Sequence, residues 1–473
     1  MKNPLLSQAS PVPAAETRNA REELHEEILK GLEGQIKTPR IAFGYQFGML
    51  FVALANMLLP LIYFGLIFLV GHAVYWHIFH NLPDGTATSG KEAKLQGLLF
   101  MLPIVMGITT LVFMVKPLFA RDPKESKPLV LKRKAEPFLF EYVKAVCRSV
   151  KAPVPHSIVL MCEPNASASF SRGFWGLLTG RMTLTIGLPL VSGMTVSQLT
   201  GVLAHEFGHF SQRSGLRICY LISTLNGWMY KIVFLRDKWD EKLEQWSRRG
   251  NMYFWLFAKV SLFCIWLSRQ LMFGLLWVSN SISCYFMRQM EFDADRFQAR
   301  LVGVKTVKST FRRITELSVA HSLAVHDLSR FHTEGRLADD LPMLIVSNVS
   351  QITPEIRKRV RAAEREQETG LFDTHPTDRE RIESLGDEPD VGLFQLPKGK
   401  DPAATVLFGN FELICRRMTT EFYETALGPI FNKSMLRPVK ELIAHRDAEI
   451  CGGQDAGPVF SDSRSDRQVA GSV

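Results

Sequence analysis

Two long stretches of this chain lack any formally charged residue, Ile41 to Gly71 and Gln96 to Val115. A soluble domain seldom carries uncharged runs of that length. Each is long enough to cross a bilayer core of about 30 Å, which takes about 20 helical residues. The same lack of ionisable residues inside both segments argues against a transporter or channel, which needs them along its path. CxxC spacing is also missing. The seven cysteines (147, 162, 219, 264, 284, 415 and 451) are odd in number and scattered, which excludes a disulfide framework and suits a reducing compartment. The net charge of +9 comes with no basic motif interleaved with aromatics, so nucleic acid is not the expected partner. Anchoring against anionic lipid explains it better. No long-period repeat is visible. No signal-peptide pattern precedes the first apolar segment, which is expected to be an uncleaved anchor.

Basic residues set the expected topology. Lys116, Arg121, Lys124, Lys127, Lys132, Arg133 and Lys134 follow the second segment, against Lys91 and Lys94 in the connecting loop. By the positive-inside rule the N-terminus and the chain beyond Lys116 lie in the cytoplasm.

Chemistry concentrates in "MTVSQLTGVLAHEFGHF", residues 194–210. Thr195 and Gln198 form a capping-box pattern, and Val196, Leu199, Val202 and Leu203 make a buried stripe at helical spacing. On that helix His205 and His209 lie one turn apart on one face and can hold one ion. Glu206 sits where it reaches water beside the ion rather than the ion itself. Two imidazoles and a carboxylate base are what a zinc hydrolase needs. The plain alternative, three polar residues sharing a helix, fails only if a third ligand exists. "RQMEFDADRFQAR", 288–300, supplies the leading candidate: Glu291 as the ligand, with Asp295 one turn on to orient a ligating histidine. A surface charge pattern remains open there, given Arg288, Arg296 and Arg300. His156, His321, His326 and His332 have no partner at helical spacing.

HEFGH followed by EFDAD resembles the membrane zinc metallopeptidases typified by the HtpX heat-shock protease and the CaaX prenyl protease. "EPNASAS" is similar to that family's Asn-Ala-Phe-Ala segment, with Asn165 and Ala166 in register and Ser167 replacing the usual Phe. "LFDTHPTDRERIESL" resembles its His-Pro segment, placing His375, Pro376 and Arg381. The resemblance implies one zinc ion on His205, His209 and Glu291, Glu206 as the base and His375 steadying the oxyanion. It implies Asn165, Ala166 and Arg381 toward the substrate. A structural turn at His375 and a simple ion pair at Arg381 stay open.

The expected fold is mainly α (α+β), with integral membrane helices and a gluzincin-like catalytic domain whose small sheet flanks the HExxH helix. The strand "RMTLTIGL", 181–188, is read as a sheet edge to which a peptide adds as a further strand, an interior position being equally open. Along the chain we expect a charged cytosolic segment at 1–40 and two membrane helices in 41–117. A peptidase domain follows at 118–385, with an apolar helical insertion at 217–287, then a linker at 386–402. A helical region at 403–450 includes Leu407, Phe411, Ile414, Cys415 and Met418 at docking spacing, ahead of a disordered tail at 451–473. His209 and Glu291 must meet, so the chain between them crosses the membrane twice or not at all. The short uncharged run Gln270–Met287 favours helices lying along the interface.

The expected activity is that of a multi-pass membrane zinc endopeptidase of a bacterial inner membrane, with its catalytic domain cytosolic, acting on polypeptides in quality control. A processing protease for lipidated C-termini is not separated from it. A catalytically silent zinc scaffold is the other alternative, although Glu206 would then be superfluous. Oligomeric state is not set by the sequence.

Overall fold

The computed structural model describes residues 14–39, 43–83, 89–115, 129–170, 181–211, 213–234, 245, 252–397 and 401–452. Among the described residues, three stretches are helical, long and apolar enough to cross a membrane: Leu50–His80, Gly90–Val115 and Ala258–Val302. They belong to α2 (Phe43–His80), α3 (Gly90–Val115) and α8 (Met252–Val302), and α7 (Arg213–Phe234) packs among them. α3 runs back along α2, with His77 bonded to the Phe100 carbonyl and the Tyr63 hydroxyl donating to the Met114 carbonyl at 2.6 Å. α8 also runs antiparallel to α2. Gly48 faces Phe286, Asn56 faces Ser279 and Ser283, and Tyr63 shares a buried cluster with Met272 and Leu276. α7 lies beside both, since Ser279 donates to Asn226 at 2.6 Å and Trp228 meets the Tyr63 ring edge-on at 5.8 Å. Away from these seams the helices present exposed apolar side chains such as Phe51, Phe68, Leu99 and Trp266, as a lipid-facing surface does.

Of the two placements open for 217–287, this packing along α2 is the one a double crossing calls for. A helix lying in an interface needs one continuous polar face. Here Lys231 and Arg269 are half-buried in the bundle, and α7 and α8 follow α2 over several turns.

The body beyond the bundle is mainly helical around a small four-stranded sheet, with a two-stranded pairing of Leu337–Ala338 and Leu436–Arg437 beside it. β1 (Leu129–Leu131), β2 (Ser157–Met161), β3 (Ala166–Phe170) and β4 (Met182–Gly187) pair in the order β1-β2-β4-β3, with β2 and β4 parallel and the other pairs antiparallel. The expected edge strand 181–188 is therefore interior, and among the described residues β1 and β3 are the outer strands. Met182, Leu184 and Ile186 turn inward to join the main core, packing with α4 (Pro137–Ser149) and α6 (Val196–Ser211). The alternation that suggested an edge reflects one buried face, which an interior strand also has.

Two expected segments prove to be parts of this body. α1 (Ala14–Gly31) lies in the charged N-terminal stretch, yet Ile28 and Leu32 are buried in the main core, and the Ser149 hydroxyl donates to the Leu32 carbonyl at 2.7 Å. Residues 386–397 do not form a free linker. Phe394 is buried, and Leu393 and Phe394 donate their N–H groups to the Arg300 and Leu301 carbonyls at the end of α8. In the C-terminal region α13 (Phe411–Ala426) docks through Cys415, Met418 and Tyr423, while Leu407 is buried in a short 3-10 turn ahead of it. α14 (Val439–Gly452) follows, and 453–473 lie outside the described residues.

Candidate active site

α6 starts as its sequence requires. Thr195 accepts from the Gln198 N–H at 3.3 Å, and Gln198 accepts in return from the Thr195 N–H at 3.2 Å. Val196, Leu199, Val202 and Leu203 are buried, which orients the opposite side of the helix toward α8. Two glycines set the distance between these helices. A Cβ on Gly201 would come within 3.1 Å of Gln298 and Val302, and one on Gly208 within 3.0 Å of Phe297. The two helices are thus close enough for side chains one turn apart on each to meet.

They do meet. His205 Nε2 lies 3.3 Å from His209 Nε2 and 3.3 Å from Glu291 Oε2, and His209 Nε2 lies 3.6 Å from Glu291 Oε1. Donors bound to one ion at about 2.1 Å with tetrahedral angles stand about 3.4 Å apart. Glu291 Oε2 is buried and accepts no hydrogen bond from the described residues, a condition a bound cation would relieve. The donor set therefore fits a zinc ion. Among the described residues no other histidine joins such a group.

A second set of contacts orients the first. His205 Nδ1 is 3.0 Å from Asp295 Oδ1, so a proton sits on Nδ1, and Nε2 is the nitrogen that faces Glu291 and His209. Asp295 is fully buried and takes both arms of Arg381, at 2.6 Å and 2.8 Å. Arg381 also comes within 3.4 Å of His205 Nδ1, but two donors cannot bond each other, so that approach is contact only. Its guanidinium lies over the Phe311 ring at 4.5 Å. Arg381, carried by α12 (Asp378–Glu383), is thus paired with the acid beside the histidine. The ion-pair alternative is the one the structure displays.

Electrostatics divides the site. Burial pushes the Glu206 carboxyl up to about 7, within reach of proton exchange near neutrality. Burial opposes a charged His205, but the carboxylates of Asp295 and Glu291 beside it overcome this and raise the ring to about 10. Burial lowers His209 to about 4, leaving a neutral imidazole. Any ion bound here would displace the His205 proton on the facing nitrogen.

Of the remaining expected residues, His375 stands in the loop before α12 with its Nδ1 3.2 Å from Glu291 Oε1, and most of its ring is open to solvent. That hydrogen bond raises its pKa. Asn165 and Ala166 lead into β3, the Asn165 side chain accepting from the Ala166 N–H at 2.8 Å. The contact the sequence reading missed is two residues on. The Ala168 N–H donates to Glu206 Oε2 at 3.1 Å, which turns the edge of β3 toward the proposed base. A backbone donor carries no sequence signal; only the position of β3 could have revealed it.

A model of peptidase family M48 matches residues 134–388, more than half of the chain. Among curated relatives, Protease HtpX of Haemophilus ducreyi is 23% identical over 290 residues, covering 59% of this chain and 87% of its own. Protease HtpX of Idiomarina loihiensis is 24% identical over 183 residues, or 38% of this chain and 58% of that one. The corresponding protein of Actinobacillus pleuropneumoniae serotype 5b is 21% identical over 232 residues, covering 48% and 72%. No solved structure matches the chain. The match spans strands β2 to β4, the HExxH helix, Glu291 and Arg381 together, and the chain belongs to peptidase family M48, the membrane metallopeptidases typified by HtpX.

Proposed function

We propose that this protein is a zinc-dependent endopeptidase that hydrolyses peptide bonds at the cytosolic face of a bacterial inner membrane, in the quality control of polypeptides. The observation that carries the reading is the meeting of His205, His209 and Glu291 at tetrahedral donor spacing, with Glu206 beside them. Zinc held by these three residues would supply Lewis-acid chemistry, polarising a scissile carbonyl and making water more acidic. Glu206 takes the proton of the attacking water and hands it to the leaving amine, a task suited to a carboxyl held near 7. His375, on the open side of Glu291, donates to the developing oxyanion. Asp295 and Arg381 hold His205 in the tautomer that faces the ion.

An extended substrate adds to the outer side of β3, its backbone pairing between Ala166 and Phe170, with Asn165 at the entrance. Pairing through the main chain is tolerant of sequence, which favours unfolded polypeptides over one defined C-terminus. The cytosolic side is supported by the basic flank that includes Lys132, Arg133 and Lys134. The test is hydrolysis of an unfolded polypeptide by the purified protein in liposomes. A chelator should stop it and zinc should restore it. Hydrolysis that persists after complete metal removal would end this reading.

A further inference from the structure

The loop that brings His375 to Glu291 continues along α8 toward the bundle. It joins α11 (Pro354–Glu366) to α12, and its tip is a tight turn closed by the Gly370 N–H on Asp373 Oδ2 at 2.8 Å. Arg288 anchors that turn, donating from Nη1 to the Asp373 carbonyl at 2.9 Å and approaching the Gly370 and Leu371 carbonyls at 3.3 and 3.4 Å. The Cys284 thiol reaches the Phe372 carbonyl at 3.3 Å, and the Phe372 ring packs edge-on to Trp277 at 5.7 Å. From Glu291 to Trp277 the loop therefore follows α8 for about 21 Å, at 1.5 Å per residue.

This course takes the turn past the polar end of the helix. Arg288 is the first charged residue after the uncharged run Gln270–Met287, which lies within the stretch apolar enough to cross a membrane. Leu371 is 52% exposed and Phe372 42%, although both are large and apolar. Beside them α8 exposes Trp277, Val278, Ile282 and Tyr285 on one face. Loop tip and helix face form one continuous apolar surface, with Arg288 and the amphipathic ring of Tyr285 at its margin. That is the composition of a protein surface meeting the boundary between acyl chains and headgroups.

We propose that Leu371 and Phe372 are seated in the bilayer at that boundary, so that the loop bearing His375 is held by α8 on one side and by lipid on the other. The inference rests on the reading that α8 crosses the membrane. The occupant is lipid because the surface is continuous with the helix face that would meet the acyl chains, and because a soluble loop would leave two large apolar side chains in water. His375 would then be positioned partly by the membrane, which the active-site contacts alone do not require.

The experiment places a benzophenone amino acid at Leu371, at Ile282 on α8, or at Glu355 on the exposed side of α11, in otherwise unchanged protein reconstituted in phospholipid vesicles. Irradiation should add the mass of one phospholipid at Leu371 and at Ile282, and none at Glu355. Lipid adducts at Ile282 without any at Leu371 would overturn the seating of the loop while leaving the crossing of α8 intact. Absence at both positions would overturn the two together. Adducts at Leu371 to polypeptide or to a second copy of the chain, in place of lipid, would also overturn it. The probe at Phe372 gives the same reading should the Leu371 variant fail to accumulate.

Discussion

Asp295 illustrates how much of the site depends on residues that need never touch a substrate. It is fully buried, it receives the proton of His205, and it is neutralised by a two-armed contact from Arg381. Asp295→Asn removes the charge and weakens the orientation of His205, so zinc affinity should fall by about 10–100-fold, as loss of such supporting partners commonly does. Competition with a chelator of known affinity measures it, and an unchanged dissociation constant would reduce Asp295 to packing. Arg381→Met leaves that carboxylate buried without its partner, a change that costs about 3–5 kcal/mol where a buried pair is broken from one side. Glu206→Gln tests a different quantity. Peptide hydrolysis should vanish while bound zinc stays near one ion per chain, because the base is lost and the ligands are kept. Appreciable turnover by that variant would remove Glu206 from the mechanism.

At the scale of elements, the spacing of α6 from α8 decides whether the ligands can meet. Gly208→Val sets a branched side chain where even a Cβ comes within 3.0 Å of Phe297. The helices must part, and metal content should drop together with activity although no ligand has changed. A second element-level prediction concerns α10 (Leu341–Asn348), capped by Asp340, whose Oδ1 accepts from the Met343 N–H at 2.9 Å. Burial pushes this carboxyl up to about 6. The folded protein therefore holds the Asp340 proton more tightly than the unfolded chain does, whose carboxyl titrates near 3.9. The stabilising contribution is complete below about pH 4 and lost as pH rises through about 6. Asp340→Asn keeps the cap without the charge, so its melting temperature should exceed that of the parent at pH 7 and converge on it at pH 4. Asp340→Ala should lose about 1 kcal/mol through the missing cap.

These elements also mark what can be read from a sequence. His205, His209, Glu291 and Asp295 were legible because one helical turn relates each pair, and that relation is local. The docking of α1 was available too, since Leu24, Ile28 and Leu32 recur every four residues within a charged stretch, and they are the residues packed in or against the core. The edge of the sheet was not legible. Met182, Leu184 and Ile186 alternate inward in the same way whether or not a further strand covers β4. Likewise Arg381 meets Asp295 across 86 positions of sequence, and only the folded chain brings α12 to α8.

For the molecule as a whole, the bundle and the active site constrain each other. α7 departs directly after the HExxH helix, and α8 returns to deliver Glu291, so both ends of this pair lie at the site. Asn56, Asn226, Ser279 and Ser283 bond to one another where α2, α7 and α8 meet, and such bonds contribute about 0.6–2 kcal/mol each in apolar surroundings. They tie α7 and α8 to a helix that is itself long and apolar enough to cross. If α2 spans the membrane, α7 and α8 span it beside α2, and the connection between them emerges on the side away from the site. If the basic flank holds the site in the cytoplasm, as proposed, that connection faces outward. A cysteine at Glu244, in a background lacking the native seven, should react with a membrane-impermeant thiol reagent in intact cells. A cysteine at Glu355, in the exposed helix α11 of the catalytic body, should react only after lysis. Protection of the first until lysis would return α7 and α8 to the interface, and reaction of the second in intact cells would invert the topology.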